Sequence, residues 1–344
     1  MIPTDRNHPP IQNDWIDRPH NHFPLGDFPL ENGEVIHDFV LSYVVHGEMC
    51  ADSSNVVLCL TPIGSIHHKY DVLIGSGQAL DTNRLCVIVV DAIGNGLTTS
   101  PSTSTLQSAE AFPRFTIRDM VESQRLLLDN LGVRKLYAAF GVSMGGMQVI
   151  QWAVSHSDRL ARAVAVMPMA RTAPWSVCVN EASRRALMVD PEWATRTTRR
   201  GWHAWVAIMQ VLATRTPAAM AIECESVAQV IGAISDRVSV REASGFHAID
   251  WVYQTYAYDC HDVSATEKFR GNLAMALAAV RAKTLIVSAP NDLYNPTSAA
   301  TEVASLIPGA RYAEIPSIYG HHAANGIDPQ DATFLTQLIS EFLS

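Results

Sequence analysis

Short apolar runs and amphipathic stretches of helical period alternate along this chain. Val56–Leu60, Cys86–Val90, and residues 136–140 and 163–166 are apolar throughout, and 284–288 is apolar between a threonine and a serine. A last short run occupies 311–315. Strands without a polar residue at every second position are buried on both faces, which predicts a mostly parallel sheet covered by helices. Residues 35–45 instead suggest one or two antiparallel strands. Between the runs, residues 116–131 place Ile117, Met120, Val121, Gln124, Leu127 and Leu128 near one helical face and stop at Gly132. Residues 148–154 are helix-like, and 332–343 predict a terminal amphipathic helix.

The alternation lapses between 171 and 283. That stretch is helical in character and holds five of the seven tryptophans: Trp175, Trp193, Trp202, Trp205 and Trp251. The bulk of these rings is expected to pack helices onto the sheet, with some lining a pocket. The organisation predicted is an extended arm at 1–34, an α/β core made of 35–170 and 284–344, and an inserted helical lid at 171–283.

Composition narrows the function classes. A net charge of −9 leaves no basic footprint for nucleic acid or an anionic membrane surface. No apolar stretch reaches 18 residues, and the polar start of the chain lacks a signal-peptide pattern, so a cytoplasmic protein is expected. The six cysteines form no C-x-x-C pair, which predicts free thiols, with Cys59 and Cys86 buried in strands. The histidines include the adjacent pairs His67-His68 and His321-His322 but no H-E-x-x-H spacing, so neither a metal nor a cofactor is expected.

The chemistry concentrates at Gly141-Val142-Ser143-Met144-Gly145, which follows an apolar run and precedes a helix-like segment. Strand, G-x-S-x-G and helix in that order describe a nucleophile elbow. A serine nucleophile needs a base, and the base needs an orienting acid. Asp292 follows the run ending at Ser288, and His321 follows the last run, with His322 as an alternative base. The oxyanion hole needs two backbone N–H groups. Met144 supplies one; the other comes from the loop 61–65, where Pro62 has no N–H and Ile63 is chosen. Asp91, at the turn after Cys86–Val90, is read as structural.

Several segments resemble the homoserine O-acetyltransferase family of the α/β hydrolases. They are Ala79-Leu80-Asp81-Thr82-Asn83, residues 112–120, the elbow with its Gly146-Met147-Gln148 continuation and Trp152-Ala153, residues 180–191, and Gly320-His321. The resemblance runs from about Val35 to the C-terminus. It implies the same triad of Ser143, Asp292 and His321, a lid inserted after the sixth strand, a deep active-site tunnel and a homodimer formed through the lid.

Departures from the family pattern steer the expected activity. The family's His-Ala-Leu-Thr-Gly is here Leu60-Thr61-Pro62-Ile63-Gly64, and its Gly-His-Asp-Ala-Phe-Leu is Gly320-His321-His322-Ala323-Ala324-Asn325. Only Arg215 answers to the basic residue of a characteristic lid segment. Loss of acceptor-binding residues favours water, so the leading expectation is a serine carboxylesterase for small acetyl-type esters. The alternative is an acyl-CoA-dependent O-acetyltransferase acting on homoserine or a related hydroxyl, with Arg184, Arg185, Arg196, Arg199 and Arg200 as candidate anion partners. A catalytically silent scaffold is the third expectation, disfavoured because the triad residues are all present.

Overall fold

A computed structural model describes residues 8–195 and 198–344. Eight strands form one sheet: β1 (Asn21–Pro29), β2 (Val35–His46), β3 (Val56–Leu60), β4 (Cys86–Val90), β5 (Ala138–Val142), β6 (Arg162–Val166), β7 (Lys283–Ser288) and β8 (Arg311–Glu314). Their spatial order is β1-β2-β4-β3-β5-β6-β7-β8. β1 and β2 pair antiparallel, as do β2 and β4, and every pairing from β4 to β8 is parallel. This is the α/β-hydrolase arrangement.

The apolar runs have the expected cause. Val56, Leu58 and Leu60 enter one core cluster, while Val57 and Cys59 enter another on the opposite face. The first face is covered by α1 (Ile117–Asn130) and α2 (Met144–Ser155), the second partly by the C-terminal helix. α1 starts at a capping box in which Thr116 and Asp119 satisfy each other's free amides, and the chain leaves it through Gly132 at φ +76°. Its buried face includes all six residues named from the periodicity.

Two sequence expectations change. The arm does not extend to residue 34: β1 begins at Asn21 and forms the edge strand against β2, with Asn21 opposite Tyr43 and Pro29 opposite Val35. Pro24, Gly26 and Pro29 break its alternation and produce two register shifts, which an edge strand tolerates because one side needs no partner. Residues 1–7 of the arm lie outside the described residues. In addition, β5 starts at Ala138 and reaches Val142, so the strand delivers the chain directly into Ser143.

Between β6 and β7 the chain forms α3 (Pro174–Met188), α4 (Arg200–Trp205), a π-helical continuation at Val206–Ala213, α5 (Pro217–Glu223), α6 (Val227–Ala243), α7 (Ala248–Asp259) and α8 (Leu273–Ala278). No sheet strand occurs there among the described residues. After β7 come α9 (Thr297–Leu306), β8 and α10 (Pro329–Phe342).

Candidate active site

Ser143 sits between β5 and α2 with φ 55° and ψ −121°, a conformation that costs a non-glycine residue on the order of 1–3 kcal/mol. Close approach of backbone imposes it. A Cβ on Gly145 would lie 2.0 Å from the Leu60 carbonyl oxygen, and one on Gly141 would lie 2.3 Å from the Gly145 carbonyl. Only glycine fits either place, and the turn they permit aims the serine hydroxyl outward from the carboxyl ends of the strands.

The loops after β7 and β8 complete the arrangement. Ser143 Oγ lies 3.1 Å from His321 Nε2, and His321 Nδ1 lies 2.8 Å from Asp292 Oδ2. An ionised carboxylate only accepts, so Nδ1 carries the proton and Nε2 is free to accept from the serine. Asp292 is itself fixed, its Oδ1 accepting from the amides of Tyr294 at 2.8 Å and Asn295 at 2.9 Å. Gly320 precedes the histidine at φ +55°, where a Cβ would meet Thr216 Cγ2 at 2.8 Å. The choice between the paired histidines is decided by direction. His322 Nε2 faces the Thr214 hydroxyl at 2.8 Å, and burial, then the neighbouring His321, push its pKa down to about 3.

The loop 61–65 is held by residues of the elbow helix. Gln148 Nε2 donates to the Thr61 carbonyl at 3.1 Å; Gln124 donates to Gln148 and accepts from Trp152 Nε1, both at 2.7 Å. These contacts explain the Gln148 and Trp152 that follow the elbow. The Gly64 amide is taken by Gln254 of α7 at 2.8 Å. Among the described residues no protein acceptor takes the amides of Ile63 or Met144, leaving both for a ligand oxygen.

A cavity of about 230 Å³ joins these parts. Its wall includes Ile63, Ser143 and His321, with Trp205, Met209, Phe246, Trp251 and Tyr294 as its apolar side. Trp202, Trp205 and Trp251 are buried and meet edge to face at 5.3 Å, so only part of the tryptophan set lines the cavity. Tyr258, stacked on Tyr294 at 5.5 Å, adds a hydroxyl that interacts with Ser143 and is held by Asn295.

Two cations also face this cavity, and neither was chosen from sequence. Arg241 of α6 is packed among Phe246, Trp205 and Trp202 at 4.8, 5.0 and 5.8 Å; burial lowers its pKa to about 10, and its Nε has no partner among the described residues. Lys69 lines the same cavity, bonded to Asn325, with burial lowering it to about 8. Neither pairs with a carboxylate among the described residues. Both also line an adjoining cavity of about 370 Å³. Arg215 is placed differently from its expectation. It pairs with Glu223 in the turn before α5 and does not line either cavity. Arg184 is bound to Asp259 at 2.6 Å and Arg185 to Glu181 at 2.7 Å, while Arg196 lies outside the described residues.

Residues 55–207 match the α/β hydrolase fold family. A homoserine O-acetyltransferase of Methanosalsum zhilinae is 31% identical over 86% of this chain and 68% of its own length. A homoserine O-succinyltransferase of Leptothrix cholodnii is 30% identical over 88% of this chain and 90% of its own. Among solved structures, the acetyl esterase MekB superimposes with a TM-score of 0.87 at 27% identity, covering 94% of this chain and 96% of that one. The fold is thus common to transferases and esterases, but relatives matching along the chain are named acyltransferases. That overturns the expected carboxylesterase. The loop departures remove residues of the family pattern, yet the cavity carries Arg241 and Lys69 from positions the family motif does not mark.

Proposed function

This chain belongs to the homoserine O-acetyltransferase family of α/β hydrolases, and on that premise we propose that it is an acyl-CoA-dependent O-acyltransferase acting on homoserine or a related hydroxyl acceptor. The observation that carries this reading is the pair of half-buried cations, Arg241 and Lys69, in the wall of the cavity that holds Ser143. A neutral acetate ester gives them nothing to bind. An amino-acid carboxylate, a dicarboxylic acyl group or the phosphates of a CoA carrier would each compensate the half-buried guanidinium.

In the proposed reaction His321 takes the proton of Ser143 as the oxygen attacks the thioester carbonyl. The amides of Ile63 and Met144 hold the resulting oxyanion. His321 then protonates the leaving thiol, and an acyl-Ser143 remains. The acceptor hydroxyl repeats the sequence in reverse: His321 removes its proton, the ester forms, and Ser143 regains its hydrogen. Asp292 keeps Nδ1 protonated and stabilises the imidazolium in both halves. The adjoining cavity gives a route for a thiol carrier. The exposed apolar residues Leu212, Ile222, Val227, Ile231 and Val240 support pairing of two copies through the lid.

The test follows free CoA thiol and acylated amino acid together, with acetyl-CoA or succinyl-CoA and homoserine. Stoichiometric acyl transfer that depends on the acceptor is expected. Thiol release at the same rate without any acceptor, or none with folded protein, refutes the reading.

A further inference from the structure

The described part of the N-terminal arm brings two histidines onto a third from the core. His8 and His20 meet His67, the first residue of the 3-10 segment His67–Leu73 that follows the loop 61–65. One ring nitrogen from each lies within 4.8 Å of those of the other two. The ring centroids are 4.8 Å apart for His8 and His20, 5.5 Å for His8 and His67, and 4.5 Å for His20 and His67. The rings meet at 90°, 32° and 81°, so they converge on a point rather than stack as a column. A tetrahedral ion with Zn–N bonds of about 2.0–2.1 Å places its donor nitrogens roughly 3.3 Å apart, which small ring rotations reach from here.

The surroundings are those of a metal ligand. His67 is 2% exposed, and its Nδ1 lies 3.1 Å from Asp91 Oδ2. The carboxylate fixes the proton on Nδ1 and leaves the Nε2 lone pair free, the carboxylate–histidine relay that orients imidazole ligands. Asp91 is in turn immobilised by Ser42 and Asn95, each at 2.9 Å. His68 repeats the pattern: its Nδ1 lies 2.6 Å from Asp71 Oδ2, and its Nε2 lies 3.1 Å from the Nε2 of His8.

We propose that His8, His20 and His67 form a binding site for a divalent transition metal of the zinc class. An all-imidazole donor set suits zinc and its neighbours and not magnesium or calcium. The site is a structural clip. It fastens the arm, already docked through Ile16 N–H to Asp71 at 2.8 Å and Trp15 stacked on His68 at 4.0 Å, beside the loop that carries Ile63. Pro9, Gln12 and Trp15 thereby become a wall of the larger cavity. The sequence reading found no metal because residues 8, 20 and 67 share no local spacing.

The test uses the untagged full chain, stripped with chelator and titrated with zinc against a chromophoric competitor, with cobalt as a spectroscopic substitute. About one equivalent per chain, an intense tetrahedral cobalt spectrum and a zinc-dependent rise in the unfolding temperature are expected. His8→Ala and His20→Ala should each abolish all three while leaving the circular dichroism of the stripped protein unchanged. His37→Ala, an exposed histidine paired with Asp27, should leave all three intact. Asp91→Asn should weaken binding by about 10–100-fold. Absence of stoichiometric binding, or binding that survives the double variant of His8 and His20, overturns the site.

Discussion

Replacing Arg241 by methionine separates binding from stability, because the two should move in opposite directions. The half-buried guanidinium packs against three aromatic rings with its Nε enclosed and unpartnered, and no carboxylate offsets its charge among the described residues. An unpaired buried polar group costs about 1–3 kcal/mol, and more when charged. Methionine keeps the contact with Phe246 and Trp205 and removes that cost, so the variant should unfold at a higher urea concentration, by an equivalent of about 1 kcal/mol or more. The acceptor carboxylate loses a charge-assisted hydrogen bond worth about 1.5–3 kcal/mol. That corresponds to a fall of roughly 10- to 150-fold in kcat/KM for homoserine. Initial rates with homoserine, set against those with a neutral alcohol acceptor, give the assay. The loss should be confined to the charged acceptor. Equal loss for both, or unchanged homoserine kinetics in a folded variant, would refute the assignment of Arg241 to the substrate anion.

Four further outcomes follow from the geometry. Ser143→Gly should abolish transfer yet raise stability by about 1 kcal/mol in urea unfolding, because glycine adopts φ 55° without strain. His321→Gln should lose about four orders of magnitude in kcat or more, while His322→Gln, whose side chain faces Thr214 and Asn325, should retain most of the rate. His261 is buried, has its Nδ1 without a partner, and is pushed by burial down to about 3. The unfolded chain therefore binds the extra proton between that value and about 6.5, so this histidine removes up to about 1.4 kcal/mol of stability per pH unit as pH falls through that window. Denaturant titrations at several pH values should be correspondingly flatter in His261→Leu. Light scattering should give a particle of twice 37.6 kDa, and Ile231→Glu, beside Val227 on one exposed face of α6, should reduce it to a single chain.

What could be read from the sequence was whatever local spacing enforces. The helical period of 116–131, the uninterrupted strands and the elbow glycines all work within a few residues, and each leaves a pattern. Asp292 and His321 were reachable because a parallel sheet gathers the loops at the carboxyl ends of its strands. β1 was missed because an edge strand accepts the prolines and glycine that disguise it. Arg241 was missed for a different reason. Its role depends on α6 packing Phe246 and Trp202 around it, and nothing near it in the chain distinguishes it from a solvated helix charge. Arg215 was favoured by likeness to a motif, but Glu223 at the end of α5 pairs with it.

The same distinction bears on why the loop departures misled. Substrate recognition in this fold is a property of the cavity, and the cavity wall is drawn from the loop after β3, the π-helical segment, α6 and the segment around Asn325. A positive charge can be supplied from any of these elements and still face the cavity that holds Ser143. Losing the family's residue at one position therefore does not remove the charge from the site. It shifts the requirement onto packing: the rings of Phe246, Trp205 and Trp202 hold the Arg241 guanidinium in the cavity wall. A variant that opens that wall, such as Trp205→Ala, should thus weaken homoserine recognition without touching the cation itself, and a homoserine KM unchanged by that substitution would sever the link between packing and specificity.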